Sequence, residues 1–178
     1  MTAIPVDVSK WATLRNGRRV IIRPIEASDA AALLLFHEGL SDDTKRLRFF
    51  TPHPELTEAE VARFTQVDHL DREALVALSL ATIVAVGRYD RTGHDEADVA
   101  FVVADAWQGV GLATELIDRL GRRAVAHDIT RFVADTLGEN HKMLHVFSNW
   151  SPAKKLSFDN GVVHVEMPIV DAARRGLN

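Results

Sequence analysis

The chain has 178 residues, 47% of them apolar and 26% charged, with 25 acids against 21 bases and a formal net charge of −4 at pH 7. One domain with a full core is expected at that size, and the acidic balance argues against a nucleic-acid partner. Cysteine is absent, which excludes disulfides, zinc–thiolate sites and a Cys-acyl intermediate; "MTAIPVDVSKWATLRNG" has no signal-peptide core and no run is long and apolar enough to span a bilayer, so a cytoplasmic chain without a membrane partner is expected.

"WATLRNGRRVIIRPI" reads as two strands around Asn16-Gly17, a dipeptide that tolerates the positive φ of a tight hairpin. "EASDAAALLLFHEGL" reads as a helix with Ser28 as its N-cap, and "SDDTKRLRFF" and "TEAEVARFTQ" as two more short helices. "EALVALSL", "TIVAVGRYD" and "ADVAFVVAD" follow as strands. Their connections are too short for crossover helices, so these three are expected to be antiparallel neighbours. A helix is expected from about Leu112 to His127, then the strand "RFVADTL", a helix from about Asn140 to Trp150, and strands "KKLSFD" and "VVHVEMPIV" joined by Asn160-Gly161. The order is α+β, with a meander first and a single β-α-β passage.

In "ADAWQGVGLATELIDRLGRRA" Gln108, Gly109 and Gly111 stand between the last meander strand and an amphipathic helix. A dinucleotide fingerprint would need a glycine where Thr114 stands and parallel units around it, and a Walker loop would need a lysine after its last glycine. What remains is Q-x-x-G-x-A, Gln108 to Ala113, opening a helix whose first N–H groups are unpaired and carry partial positive charge. Glycine lets a pyrophosphate approach them. A plain turn is the rival reading.

These residues, the strand before them and "ENHKMLHVF" after them resemble the acetyl-CoA core of the GNAT acyltransferases, over roughly Arg18 to Ile169. The stretch from Leu40 to Leu78 is similar to the segment that precedes that core in bacterial Pat-type protein lysine acetyltransferases. The resemblance implies a mixed α/β sheet flanked by helices, mostly antiparallel, with splayed central strands forming an acyl-CoA cleft in a single domain. Such units are often joined to a cyclic-nucleotide module or a synthetase-like region, and at this length neither is expected here. It further implies that Gln108, Gly109, Val110, Gly111, Leu112 and Ala113, with Thr114 in the same helical turn, bind pyrophosphate. Val102, Val103 and Ala104 would pair with pantetheine, and Asn140 would lie near the cofactor arm. Met143 and Phe147 are either cofactor contacts or core. Asp98 falls where related lysine acetyltransferases carry a Glu general base.

Two departures have chemical consequences. Val110 stands where a basic residue is common, leaving phosphate binding to backbone N–H groups. Phe147 stands where many relatives have a tyrosine that protonates the leaving thiolate, and water is the substitute, because a thiol pKa of roughly 8 to 9 makes CoA a tolerable leaving group. A carboxylate is wanted because a lysine of pKa about 10.4 must lose a proton, at about 4.6 kcal/mol at pH 7. Strand alternation turns Asp98 away from Val99 and Phe101 and toward the cleft with Ala100, and Glu96 shares its face. A solvated polar residue is the alternative for Asp98, and helix capping for Asn140. His141 and His145 have metal-holding spacing but no third ligand, so no metal is expected.

The expected function is acetyl transfer from acetyl-CoA to the ε-amine of a protein lysine, on an acyl-CoA-forming metabolic enzyme. A non-catalytic acyl-CoA-binding regulatory module and a small-amine acetyltransferase are the alternatives. Lys45 and Arg48 are expected to face a folded acceptor.

Overall fold

The computed structural model describes residues 10–169. The expectations about the first nine residues and Val170 lie outside them. Eight strands form one sheet: β1 (Lys10–Thr13), β2 (Arg19–Pro24), β3 (Arg72–Ser79), β4 (Thr82–Arg91), β5 (Glu96–Val103), β6 (Arg131–Leu137), β7 (Lys155–Asp159) and β8 (Val162–Pro168). Their spatial order is β1-β2-β3-β4-β5-β6-β8-β7. Every neighbouring pair is antiparallel except β5 with β6. The short connections of the meander left no other solution, while β5 and β6 are joined by the helix a parallel crossover requires.

Five helices cover the sheet: α1 (Ala30–Glu38), α2 (Asp42–Phe49), α3 (Glu58–Thr65), α4 (Leu112–Val125) and α5 (His141–Trp150). Leu116, Ile117 and Leu120 of α4 pack with Phe147 and Trp150 of α5 on Val99, Phe101 and Phe132. Leu33, Phe36 and Leu40 cover Ile25, Val76 and Val86 on the other face. Along β5 the alternation is plain: Ala97, Val99, Phe101 and Val103 belong to the first core, and Val102 packs against the second.

Local signals explain most termini. Ser41 accepts from Thr44 N at the start of α2, and Thr57 and Glu60 form a capping box at the start of α3. Ser28 is not a cap. It lies in a 3-10 turn, Ala27–Asp29, in which Glu26 N donates to Asp29 at 2.8 Å. Asp29 is also held by both terminal nitrogens of Arg23, at 2.8 and 2.7 Å, an ion pair that outcompetes the serine hydroxyl.

The parallel pairing of β5 and β6 is short, running only from Glu96↔Arg131 to Asp98↔Val133. Beyond that rung the strands part, and α2 packs across both. The helix is pinned on each side of the gap. Asp105, just past β5, accepts from Ser41 Oγ at 2.7 Å and Thr44 Oγ1 at 2.8 Å, and Glu139, just past β6, pairs with Arg46.

Candidate active site

After β5 the chain makes a 3-10 turn, Asp105–Trp107, and then adopts φ of +75° at Gly109 and +91° at Gly111, conformations that favour glycine. Gly111 is the N-cap of α4, and the first carbonyl bond from the helix is Glu115 N to Gly111 O at 3.1 Å. The N–H groups of Leu112, Ala113 and Thr114 therefore precede any helical acceptor and point toward the loop. Glu115 is the one acid of that turn, and Arg119 neutralises it at 2.8 Å.

The β1–β2 hairpin brings in a cation that no reading of the loop itself contained. Arg15 N donates to Val110 O at 3.2 Å, and the Arg15 Nε would lie 3.3 Å from a Cβ placed on Gly111. A positive charge thus sits beside the bare loop although position 110 is valine.

A cleft of about 880 Å³ opens from this loop into the gap between β5 and β6. Val102 and Val103, then Gln108, Gly109, Gly111, Leu112, Ala113 and Thr114, then Asn140 and Met143 all line it. Ala104, Val110 and Phe147 do not. Ala104 N is committed to Val84 O at 2.9 Å, and by alternation the main-chain groups of Val102 also face β4. Those of Phe101 and Val103 turn toward the gap, where Val103 O already accepts from Gln108 Nε2 at 3.2 Å, so the Phe101 groups and Val103 N are left to meet an extended ligand. Val110 packs against the core and offers its carbonyl to Arg15. Phe147, 2% exposed, points into the sheet with its ring centroid 6.3 Å from that of Phe101. It is core, because α5 turns that side inward.

Gln108 is a brace. It donates to Thr44 Oγ1 and to Val103 O, both at 3.2 Å, and accepts from Lys142 Nζ at 2.9 Å, tying α2, β5 and α5 together at the mouth of the cleft. Asn140 caps α5 by accepting from Met143 N at 3.2 Å while lining the cleft. His145 also lines it and bonds Asn149 at 2.8 Å. Among the described residues no three side chains of metal-ligating type come together.

Asp98 stands at the last rung before the strands part, on the face opposite Val99 and Phe101. It does not line the large cleft. No hydrogen bond or ion pair reaches its carboxylate among the described residues. Asp98 is exposed as a residue, yet desolvation of its carboxylate, and then the charge of Asp135, raise its pKa to about 6, against the smaller opposing pull of Arg48. Glu96 shares its face and has a different fate: Arg131 binds it at 2.8 Å and Thr92 Oγ1 donates to it at 2.9 Å. Only one of the two carboxylates is at liberty to take a proton.

Lys45 and Arg48 do not face outward as expected. Lys45 is 7% exposed, with Nζ bonded to Pro54 O at 3.2 Å. Arg48 turns inward and lines the cleft. The α2 pattern placed both on a polar helix but could not show which side α1, α3 and the sheet would cover.

The family model described as "Acetyltransferase (GNAT) domain" matches residues 19–149. The chain is 30% identical over 177 residues to "Acetyltransferase Pat" of Mycolicibacterium smegmatis, covering 96% of this chain and 51% of the relative, so it spans about half that relative's length. It is 29% identical over 121 residues to "Acetyltransferase PA5475" of Pseudomonas aeruginosa, 65% of each chain. The crystal structure of the GNAT domain of S. lividans PAT superposes with a TM-score of 0.86 at 38% identity, covering 93% of this chain and 99% of that one. At 15% identity and a TM-score of 0.66 the fold alone is shared with yncA from Salmonella typhimurium, a structure described as holding acetyl-CoA. With a family match across most of its length and a mixed sheet that splays at its one parallel pair, the chain belongs to the GNAT acetyltransferase family.

Proposed function

We propose that this chain transfers an acetyl group from acetyl-CoA to the ε-amine of a protein lysine, by direct attack and with Asp98 as general base. The observation that carries the reading is the free carboxylate at the splay: Asp98 is unpaired, its pKa is raised to about 6, and it sits where the two strands separate. That value brings it closer to lysine's 10.4 than an ordinary aspartate of about 4.

The remaining parts have matching roles. The N–H groups of Leu112, Ala113 and Thr114, with Arg15 beside them, suit a pyrophosphate. The gap-facing main chain of Phe101 and Val103 suits the amides of pantetheine. The lysine nitrogen attacks the thioester carbonyl carbon, the C–N bond forms, the C–S bond breaks and CoA leaves as thiolate. The nitrogen's proton passes through water to Asp98, and the thiolate takes a proton from solvent. The sole tyrosine, Tyr89, is fully buried and serves neither step. The protein acceptor is supported by the Pat proteins this chain is similar to.

Incubation with acetyl-CoA and a proteome extract, read by mass spectrometry, tests the reading. New acetyl-lysines on folded proteins are expected. Spermidine acetylated far more efficiently than every protein would replace lysine with a small amine, and acetyl-CoA binding without turnover on any acceptor would leave a binding module.

A further inference from the structure

Other arginines of α2 and the sheet meet a carboxylate: Arg46 meets Asp43 and Glu139, Arg72 meets Asp90, and Arg131 meets Glu96. Arg48 and Arg88 are different. Among the described residues neither has a carboxylate within 4 Å. Among the described residues Arg48 makes no hydrogen bond, and it lies 5.0 Å over the Phe49 ring. Arg88 is 7% exposed, donates one bond, to Phe64 O at 3.1 Å, and lies 4.3 Å over the Phe64 ring. The nearest acids do not satisfy them, since Asp90 is held by Arg72 at 2.9 Å and Arg63 at 3.5 Å, and Asp98 only reaches Arg48 at longer range.

Both guanidinium groups line a small cavity of about 30 Å³ between the helices and β4 and β5, floored by Val86, Ala100 and Val102. Arg48 and Val102 also line the large cleft, so they form a common wall. Burial lowers both pKa values, that of Arg88 to about 9 with Arg48 as the next cause. Leaving a buried guanidinium group, Arg88, beside a half-buried one, Arg48, without a counter-ion is costly, and an anion between them removes that cost. The cavity has room for something about the size of one water, roughly 30 Å³. A carboxylate fits, and its planar pair of oxygens matches the guanidinium fork.

We infer that Arg48 and Arg88 form a carboxylate subsite at the acyl end of the cleft, so that the preferred donor carries a short dicarboxylic acyl group, malonyl to succinyl in length. This rests on the acyl-CoA reading above. The transfer is unchanged in its bonds: C–N forms, C–S breaks, and the distal carboxylate stays bound and unreacted.

Dissociation constants for succinyl-CoA and butyryl-CoA, equal in chain length and differing in charge, test it by calorimetry. Succinyl-CoA is expected to bind at least 10-fold tighter to the native chain, and Arg48→Met and Arg88→Met, measured separately, are expected to bring the ratio near one. The native ratio decides the matter even if the buried Arg88 variant does not fold. Equal affinities in the native chain overturn the inference, as does a ratio that survives Arg48→Met. If the ratio is one but an acidic residue beside the acceptor lysine speeds transfer in a way Arg48→Met abolishes, the pair serves the acceptor and the donor assignment falls. Acetyl-CoA binding without a succinyl preference overturns this inference alone, whereas failure of every acyl-CoA to bind overturns the acyl-CoA reading as well.

Discussion

Asp98 and Val133 form the last paired rung between β5 and β6, and the acyl-CoA-sized cleft begins where their strands stop bonding. In the proposed reaction this carboxylate stands where a reactant on one side of the sheet would meet a reactant on the other. Asp98→Asn is expected to cut turnover about 10²-fold, the usual scale of a general base, with acyl-CoA affinity retained. Glu96→Gln, whose partner is Arg131, is expected to change turnover only a few-fold. Steady-state kinetics on both variants checks this, and equal losses would mean the wrong carboxylate has been chosen.

The same group sets two pH dependences. Turnover is expected to fall with an acid limb near pH 6 as Asp98 becomes protonated. For stability the sign is opposite: a pKa raised in the folded state means the fold favours the neutral acid, so the contribution of Asp98 is fully present below its unfolded pKa of about 4 and is lost as pH rises through about 6. Asp98→Asn should therefore raise Tm at pH 8 and leave it nearly unchanged at pH 4. Thermal melts at the two pH values read the difference.

Acetyl-CoA at 100 times its Kd is expected to add about 2.7 kcal/mol, a Tm increase of roughly 5 to 10 °C for a chain this long. Arg15→Ala should weaken binding by about 3- to 10-fold, with the effect shrinking as salt rises. Arg15 is a better probe than Gly111, because at φ +91° any side chain strains the turn itself. No shift in the native chain would remove the cofactor assignment.

Glu73 is fully buried and bonded to Arg123, to His69 Nδ1 at 2.7 Å and to Ala74 N at 2.9 Å. Glu73→Ala leaves Arg123 without its counter-charge and should cost about 3 to 5 kcal/mol. Denaturant melts are expected to show that Glu73→Leu with Arg123→Met recovers much of the loss.

The β3–β4 hairpin turns through Leu80 and Ala81, at φ +48° and +66°, with Leu80 99% exposed. A two-residue turn of this hand favours Asn-Gly. Leu80→Asn with Ala81→Gly should stabilise by about 0.5 to 1 kcal/mol and raise Tm by roughly 1 to 4 °C, measured by calorimetry.

The readable parts of this protein were those whose bonds are local. Asn16-Gly17 and Asn160-Gly161 specify their hairpins, Ser41 and Thr57 their helices, and the short spacers between β3, β4 and β5 their antiparallel order, because each signal acts within a few residues. Ser28 misled for the converse reason, since Arg23 and Asp29 supplied a stronger bond than the local cap. Side-chain fate at a distance belonged to the tertiary structure alone. Sequence spacing put Glu96 and Asp98 on one face, but only the arrival of Arg131 on the parallel neighbour consumed the first and left the second free. Likewise Arg15 reaches the glycine loop through a hairpin remote in the chain, and Phe147 and Lys45 are buried by elements their own helices do not encode. Periodicity fixes which residues share a face, whereas what covers that face is decided by packing, and at this site packing decides which charges remain unpaired.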